Sequence, residues 1–313
     1  MNANISSLHH VTATVAEAQA DLDFYVGLLG QRLVKKTINF DNPGVYHFYY
    51  GDEQGSPGTI MTTFPYAGKG VRQGVKGVGQ ITVTSFSAPA ASMPFWRARL
   101  TAARVPFIDE DTVFGEASLT FDDPSGLGIR IVATDGDPRA PWTGDGIDAA
   151  HAIRGIHSVS LLVREPADTV AMVAALLDGT VVNEAAHVTR MGINGTAPGQ
   201  LLELVRARDE AAAVNGLGTV HHVAFAAADD AAQLALRDEI VRRGIHVTPV
   251  LDRQYFHSIY FREPNGVLFE VATRPPGFAV DEPLALLGRA LKLPPWEEAR
   301  RALIEASLPA VRY

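Results

Sequence analysis

Two pairs of adjacent histidines stand out for what they could bind. "LHHVT" occupies residues 8–12 and "VHHVAF" recurs at 220–225, so His9-His10 and His221-His222 share one local setting at opposite ends of the chain. Imidazole nitrogens are common ligands for transition metals. Two imidazoles with one carboxylate leave three coordination positions open, a set that suits non-haem Fe(II). The matching carboxylate is Glu270, in "LFEVA" (268–272). A single His beside Val on a strand is ordinarily a packing residue. Two in register, with a carboxylate at a third equivalent position, make His10, His222 and Glu270 a candidate metal set.

Such a set needs elements that repeat, and the sequence repeats. "FDDPSGLGIRIVAT" (121–134) aligns with "FREPNGVLFEVAT" (261–273), placing Arg130 against Glu270. Both read as an aromatic strand end, a Pro/Gly turn and an alternating strand. "GIHSVSLLV" (155–163) matches "VHHVAFAA" (220–227), placing Ser158 against His222; "GVGQITVTS" (77–85) offers Gln80 and "LHHVTATV" (8–15) offers His10. Each opening strand precedes a helical stretch, two of which stop at Gly30 and Gly244, where a C-terminal cap is expected.

The repeat predicts an α+β fold of four βαβββ modules, at 5–66, 77–135, 154–208 and 218–274, arranged as two double-module domains with cupped mixed sheets. Contiguity groups them as an N-terminal domain, 1–135, and a C-terminal domain, 154–274, joined by the Gly/Pro/Asp-rich segment 136–153. The extension 275–313 is expected to end in a helix begun by Pro-Pro in "PPWEEARRALIEASL" (294–308), a surface on which a homo-oligomer could form. Opening strands should bring His10, Gln80, Ser158 and His222 into the cups, and closing strands Thr62, Arg130, Glu203 and Glu270. Thr62 is too weak a donor to complete a fourth vertex. Gln80, Arg130, Ser158 and Glu203 read as scaffold, with Arg130 pairing with Glu203.

Composition narrows the function. A net charge of −8 and a pI near 5.7 provide no basic field for nucleic acid or an anionic membrane. The chain has no cysteine, which excludes thiolate chemistry and suits the reducing cytoplasm. Neither a secretory leader nor an apolar run long enough for a membrane span is expected.

The four modules with "LHHVT", "HHVAF" and "LFEVA" resemble the vicinal oxygen chelate superfamily of glyoxalases, bleomycin resistance proteins and extradiol dioxygenases, and within it the ring-cleaving dioxygenases that act on hydroquinones. The resemblance spans nearly the whole chain. It implies a metal cup shared by the first and last modules, with Fe(II) on His10, His222 and Glu270 and Mn(II) as the alternative ion. A small aromatic diol and O2 are the implied partners. It implies further roles for His9, Thr12, His221, Arg253 (in "LDRQYF") and Tyr260 (in "SIYF"). Tyr260 and Arg253 would supply a hydrogen bond and charge to the oxygenated ring, and His9 or His221 would move the phenolic proton. Strand alternation conflicts with part of this, since it puts His9 and His221 on the face opposite His10 and His222. His47 and His257 receive no role. Three other readings remain: a catechol-type extradiol dioxygenase, whose ligands would lie in modules 3 and 4; a glyoxalase-like isomerase, which wants a second carboxylate; and a protein that binds an aromatic ligand without chemistry.

Overall fold

The computed structural model describes residues 5–313 and contains all four βαβββ modules. The first holds β1 (Ile5–Val15), α1 (Ala18–Leu22), which continues as a π-helical turn over Asp23–Leu28, then β2 (Arg32–Asn39), β3 (Asn42–Gly51) and β4 (Ile60–Pro65). The second holds β5 (Gln80–Ala88), α2 (Met93–Ala102), β6 (Phe107–Asp111), β7 (Ala117–Asp122) and β8 (Gly128–Ala133). The third holds β9 (Gly155–Val163), α3 (Pro166–Leu177), β10 (Gly179–Ala185), β11 (Val188–Ile193) and β12 (Leu201–Arg206). The fourth holds β13 (Thr219–Ala227), α4 (Asp230–Arg242), β14 (Leu251–Asp252), β15 (Phe256–Arg262) and β16 (Leu268–Pro276). Helices form where the sequence carries apolar residues at helical spacing, and α4 is capped by the Asp229 side chain, which accepts from the Ala232 N–H.

Sheet order departs from the order of the chain. One eight-stranded sheet runs β14-β15-β16-β13-β1-β4-β3-β2 and joins modules 1 and 4; the other runs β10-β11-β12-β9-β5-β8-β7-β6 and joins modules 2 and 3. Neither contiguous half, 1–135 or 154–274, therefore owns a sheet. The physical reason is the pairing of opening strands: β1 lies antiparallel to β13, and β5 antiparallel to β9. Each joint buries its apolar residues, including Val11, Val223 and Phe225 in one sheet and Ile81, Val159 and Leu161 in the other. Segment 136–153 is irregular chain with turns and bends, and its Arg139 donates both to the Gly58 carbonyl of module 1 and to Ser87 of module 2.

The C-terminal extension packs on its own chain. Ile304 of α5 (Arg301–Ser307) is buried with Ile38 and Leu293, and Tyr46 donates to the Pro309 carbonyl. The helix begins later than its Pro-Pro would suggest, after a 3-10 turn at Glu298–Arg300. Upstream, the fully buried Lys35 ammonium reaches Asp281 at 2.6 Å and Glu282 at 2.5 Å, and lies 5.0 Å from the Tyr255 ring centroid. A buried ammonium is tolerable only when paired. Here the pairing fixes the extension behind the cup, where Phe278 and Leu287 join Val34, Tyr49, Tyr255 and Phe256 in one apolar cluster.

Candidate metal centre

Both histidine pairs lie at β-bulges. Between Leu8↔Phe225 and His10↔Ala224, β1 advances two residues while β13 advances one, so His9 is the extra residue; between Thr12↔His222 and Ala13↔Val220, His221 is the extra residue on β13. A bulge re-aims a side chain and breaks alternation. The conflict over His9 and His221 is thereby resolved. Each extra imidazole sits beside its neighbour and not on the opposite face, with His9 Nδ1 2.9 Å from His10 Nδ1 and His221 Nδ1 2.8 Å from His222 Nδ1. The two arrangements differ in depth: His9 is buried against Phe256, whereas His221 is exposed at the mouth of the cup.

With their Nδ1 atoms engaged, His10 and His222 point Nε2 at Glu270. The two Nε2 atoms lie 3.3 Å apart, and Glu270 Oε2 lies 3.3 Å from that of His10 and 2.7 Å from that of His222. These are the spacings of neighbouring donors around one ion at metal–ligand distances of about 2.1 Å. Glu270 Oε1 accepts from Ser258 Oγ at 2.5 Å, while Oε2, fully buried, accepts no well-formed hydrogen bond. An orphaned carboxylate oxygen between two imidazole nitrogens fits a divalent cation. Burial opposes the charge on Glu270, yet the two imidazoles hold its carboxyl well below the usual range; burial lowers His222. Both shifts favour the protonation states a metal requires.

The centre opens into a cavity of about 420 Å³ whose wall includes Phe40, Phe64, Phe256, Leu251 and Leu268. Tyr260 meets the His222 ring edge-on at 5.6 Å, and Arg253 donates Nε–H to its hydroxyl at 3.3 Å. Arg253 also pairs with Asp41 across the mouth at 3.1 Å. Burial, and then Glu270, raise the Tyr260 phenol above its ordinary range, so it stays a donor. Thr12 lines the cavity and accepts from Thr62 at 3.0 Å. His47, given no role by the sequence, also lines it: Nε2 is 2.8 Å from Thr62 Oγ1 and Nδ1 is 2.9 Å from the Tyr49 hydroxyl. The available signal was the His-x-Tyr spacing in "VYHFYY", which puts His47 and Tyr49 on one face of a strand. His257, by contrast, pairs with Asp230 outside the cavity.

The second cup holds charges that satisfy one another. Arg130 pairs with Glu203 at 3.5 Å, as expected; Glu203 also accepts from Ser160 at 2.8 Å and from Arg190 at 2.7 Å. Arg190 stands opposite Glu203 as Tyr260 stands opposite Glu270, and completes a bidentate pair with Glu116. Guanidinium groups thus occupy the space that a cation would take in the first cup. Register also corrects one alignment. Val83, and not Gln80, matches His10, because Val83↔Ser160 mirrors His10↔Ala224; Gln80 instead donates to Asn215.

Two curled eight-stranded sheets of paired βαβββ modules, one carrying a His-His-Glu centre, define a vicinal oxygen chelate protein. The chain belongs to the Glyoxalase/Bleomycin resistance protein/Dioxygenase superfamily, whose model matches residues 155–271. It is 43% identical over 304 residues to "Putative ring-cleaving dioxygenase MhqE" of Bacillus subtilis (strain 168), covering 96% of this chain and 98% of that one. It is 34% identical over 299 residues to "Chlorohydroquinone/hydroquinone 1,2-dioxygenase" of Sphingobium indicum, covering 93% and 92%. A crystal structure of a "putative dioxygenase" from Bacillus subtilis superposes with a TM-score of 0.94 at 41% identity, covering 99% of this chain and 98% of that one.

Proposed function

We propose that this protein is an Fe(II)-dependent dioxygenase that cleaves the ring of a hydroquinone-like aromatic diol, with both atoms of O2 entering the product. The observation that carries the reading is the orphaned Glu270 Oε2 between the Nε2 atoms of His10 and His222, at the base of an apolar-walled cup. His10, His222 and Glu270 would hold the ion. When bound, Fe(II) supplies the redox centre through which a singlet aromatic diol and triplet O2 can react; Mn(II) fits the same donors.

The rest of the chemistry falls to this chain's own side chains. His9 and His221 each accept the Nδ1–H of the neighbouring ligand, which fixes that ligand's tautomer and leaves Nε2 as the donor atom. His221, exposed at the mouth and accepting at Nδ1, carries its own hydrogen on Nε2, so there it is a hydrogen-bond donor to a substrate oxygen and does not take up the phenolic proton. Tyr260 presents its hydroxyl beside His222, held by Arg253, where negative charge develops on the ring oxygens. Phe256, its ring tilted against His10 at 5.2 Å, keeps water from that side.

The arrangement disfavours the glyoxalase-like alternative, since Thr62 stands where a second carboxylate would be needed and its hydroxyl is already engaged. It disfavours the catechol-type alternative because the centre is built from modules 1 and 4. We place the activity in the cytoplasm, in keeping with a chain free of cysteine. The test is O2 uptake by anaerobically purified, iron-loaded protein offered hydroquinone, catechol, or methylglyoxal with glutathione. Uptake on hydroquinone is expected; isomerisation of the methylglyoxal adduct without O2 uptake would overturn the reading.

A further inference from the structure

The metal cup has a near-twofold relation that its metal ligands obey only in part. Across the sheet, one row of facing residues runs His10, Ala224, Glu270, Tyr260, and the adjacent row runs His222, Thr12, Thr62, Tyr49. Thr62 is thus the counterpart of Glu270, Tyr49 of Tyr260 and Thr12 of Ala224. Two residues before each tyrosine lies the partner of the closing-strand residue: Ser258 donates to Glu270, and His47 meets Thr62. One half of the cup carries the candidate metal ligand Glu270 with its Ser258 donor. The other half is a chain of four neutral hydrogen-bonding groups, Tyr49, His47, Thr62 and Thr12, all on the cavity wall or directly behind it.

The direction of that chain follows from counting donors. Tyr49 is buried, and its hydroxyl meets only the Nδ1 of His47. Thr62 donates its one hydroxyl hydrogen to Thr12 Oγ1, so toward His47 it can only accept. His47 Nδ1 then accepts from Tyr49. A neutral imidazole that accepts at Nδ1 carries its hydrogen on Nε2. That N–H donates to Thr62 Oγ1, and Thr62 then donates to Thr12 Oγ1. Thr12, fully buried in the wall of the cup, is left with one hydroxyl hydrogen, in the row of His222.

We propose that His47 is a positioning residue whose tautomer, set by Tyr49 and relayed by Thr62, makes Thr12 a one-way hydrogen-bond donor to a substrate oxygen beside the metal centre. The ligand is an oxygen with lone pairs to offer, such as the phenolate or hydroxyl of an aromatic diol, and in that respect the inference rests on the ring-cleavage reading. Thr62 serves as a relay in the place where a fourth ligand would stand. The same cup therefore trades one metal–carboxylate bond for one directed donor.

The test uses iron-loaded full-length protein with Thr62→Val, Thr62→Ser, His47→Leu, Tyr49→Phe and the double variant His47→Leu/Thr62→Val. Valine has the shape of threonine without the hydroxyl, and serine keeps the hydroxyl with less bulk. Iron content should be unchanged in all, because no ligand is touched. With hydroquinone, kcat/KM should fall by about 100-fold in Thr62→Val and His47→Leu, the scale of losing one preorganised oxyanion donor. Thr62→Ser should stay close to the parent. The double variant should be no worse than either single, since both cut one chain. Tyr49→Phe, which removes only the head of the chain, supplies the readout should Thr62→Val fold poorly. Parent-like kinetics in Thr62→Val or Tyr49→Phe would overturn the proposal. So would an equal loss in Thr62→Ser and Thr62→Val, or additive losses in the double. If the parent protein consumes no O2, ring cleavage fails separately, and anaerobic calorimetry with hydroquinone decides the inference. Weaker binding by Thr62→Val but not by Thr62→Ser supports it. Equal binding by all three, or none by the parent, overturns it.

Discussion

Replacing Asp21 by Asn should stabilise this protein at alkaline pH and leave its stability nearly unchanged in acid. Asp21 is 3% exposed beneath the metal-bearing sheet; its Oδ2 accepts from Tyr50 and from Thr63, each at 2.5 Å, while Oδ1 has no partner. Burial, with a smaller contribution from Asp123, raises its carboxyl from 3.8 to about 7 against the pull of those two hydroxyls. The folded protein therefore holds a proton that the unfolded chain has released. For a raised carboxyl, the stabilising contribution is complete below the unfolded value and declines between about pH 4 and pH 7, beyond which the difference is constant. A shift of about three units corresponds to about 4 kcal/mol as an upper figure. Asn mimics the protonated acid, since its carbonyl can accept both hydroxyls and its amide takes the place of the unpartnered oxygen. Urea unfolding of both proteins at pH 4.5, 6 and 8 measures the effect. The difference in unfolding free energy should grow steadily in favour of the Asn variant. A difference that does not change with pH would refute the reasoning. The result bears on function, because Tyr50 and Thr63 adjoin Tyr49 and Thr62, and Asp21 clamps the strands on which those two face the cup.

Two further predictions follow from single contacts. His9→Ala removes the acceptor of the His10 Nδ1–H without touching a ligand, and should weaken iron affinity by about 10–100-fold in a chelator competition; unchanged affinity would show that His9 does not orient His10. Lys35→Met leaves Asp281 and Glu282 facing a buried hole in the charge pattern, and should cost about 3–5 kcal/mol in urea unfolding. The same variant should expose the chain after residue 276 to limited proteolysis; resistance equal to the parent's would contradict the clamp.

Much of this architecture was legible because it repeats. Apolar alternation and Pro/Gly turns recur at matching places, and those signals are local, so the four-module pattern and the α+β class could be read directly. Sheet order is a different kind of information. Pairing of β1 with β13 is settled by apolar faces that meet across most of the chain, and no local pattern records it. His10, His222 and Glu270 could be singled out as a candidate set since ligand chemistry needs those residue types at equivalent positions, and the structure brings the three together. The two bulges were not, because one extra residue in a strand looks like any other residue, and a strict period of two put His9 and His221 on the wrong face. A separate misalignment, by three residues, put Gln80 in the place that Val83 occupies. His47 received no role for another reason. The His-x-Tyr spacing marks its same-strand partner Tyr49, but the Thr62 hydroxyl comes from a neighbouring strand, which no local pattern announces.

The central claim is that His10, His222 and Glu270 bind iron for oxygen chemistry on an aromatic diol. The most direct measurement is iron stoichiometry with O2 uptake on hydroquinone, made side by side on the parent protein and on Glu270→Gln, which keeps the shape of the side chain and removes its charge. The account predicts one iron per chain and hydroquinone-dependent uptake for the parent, with both lost in the variant. Iron retained and uptake undiminished in Glu270→Gln would contradict it.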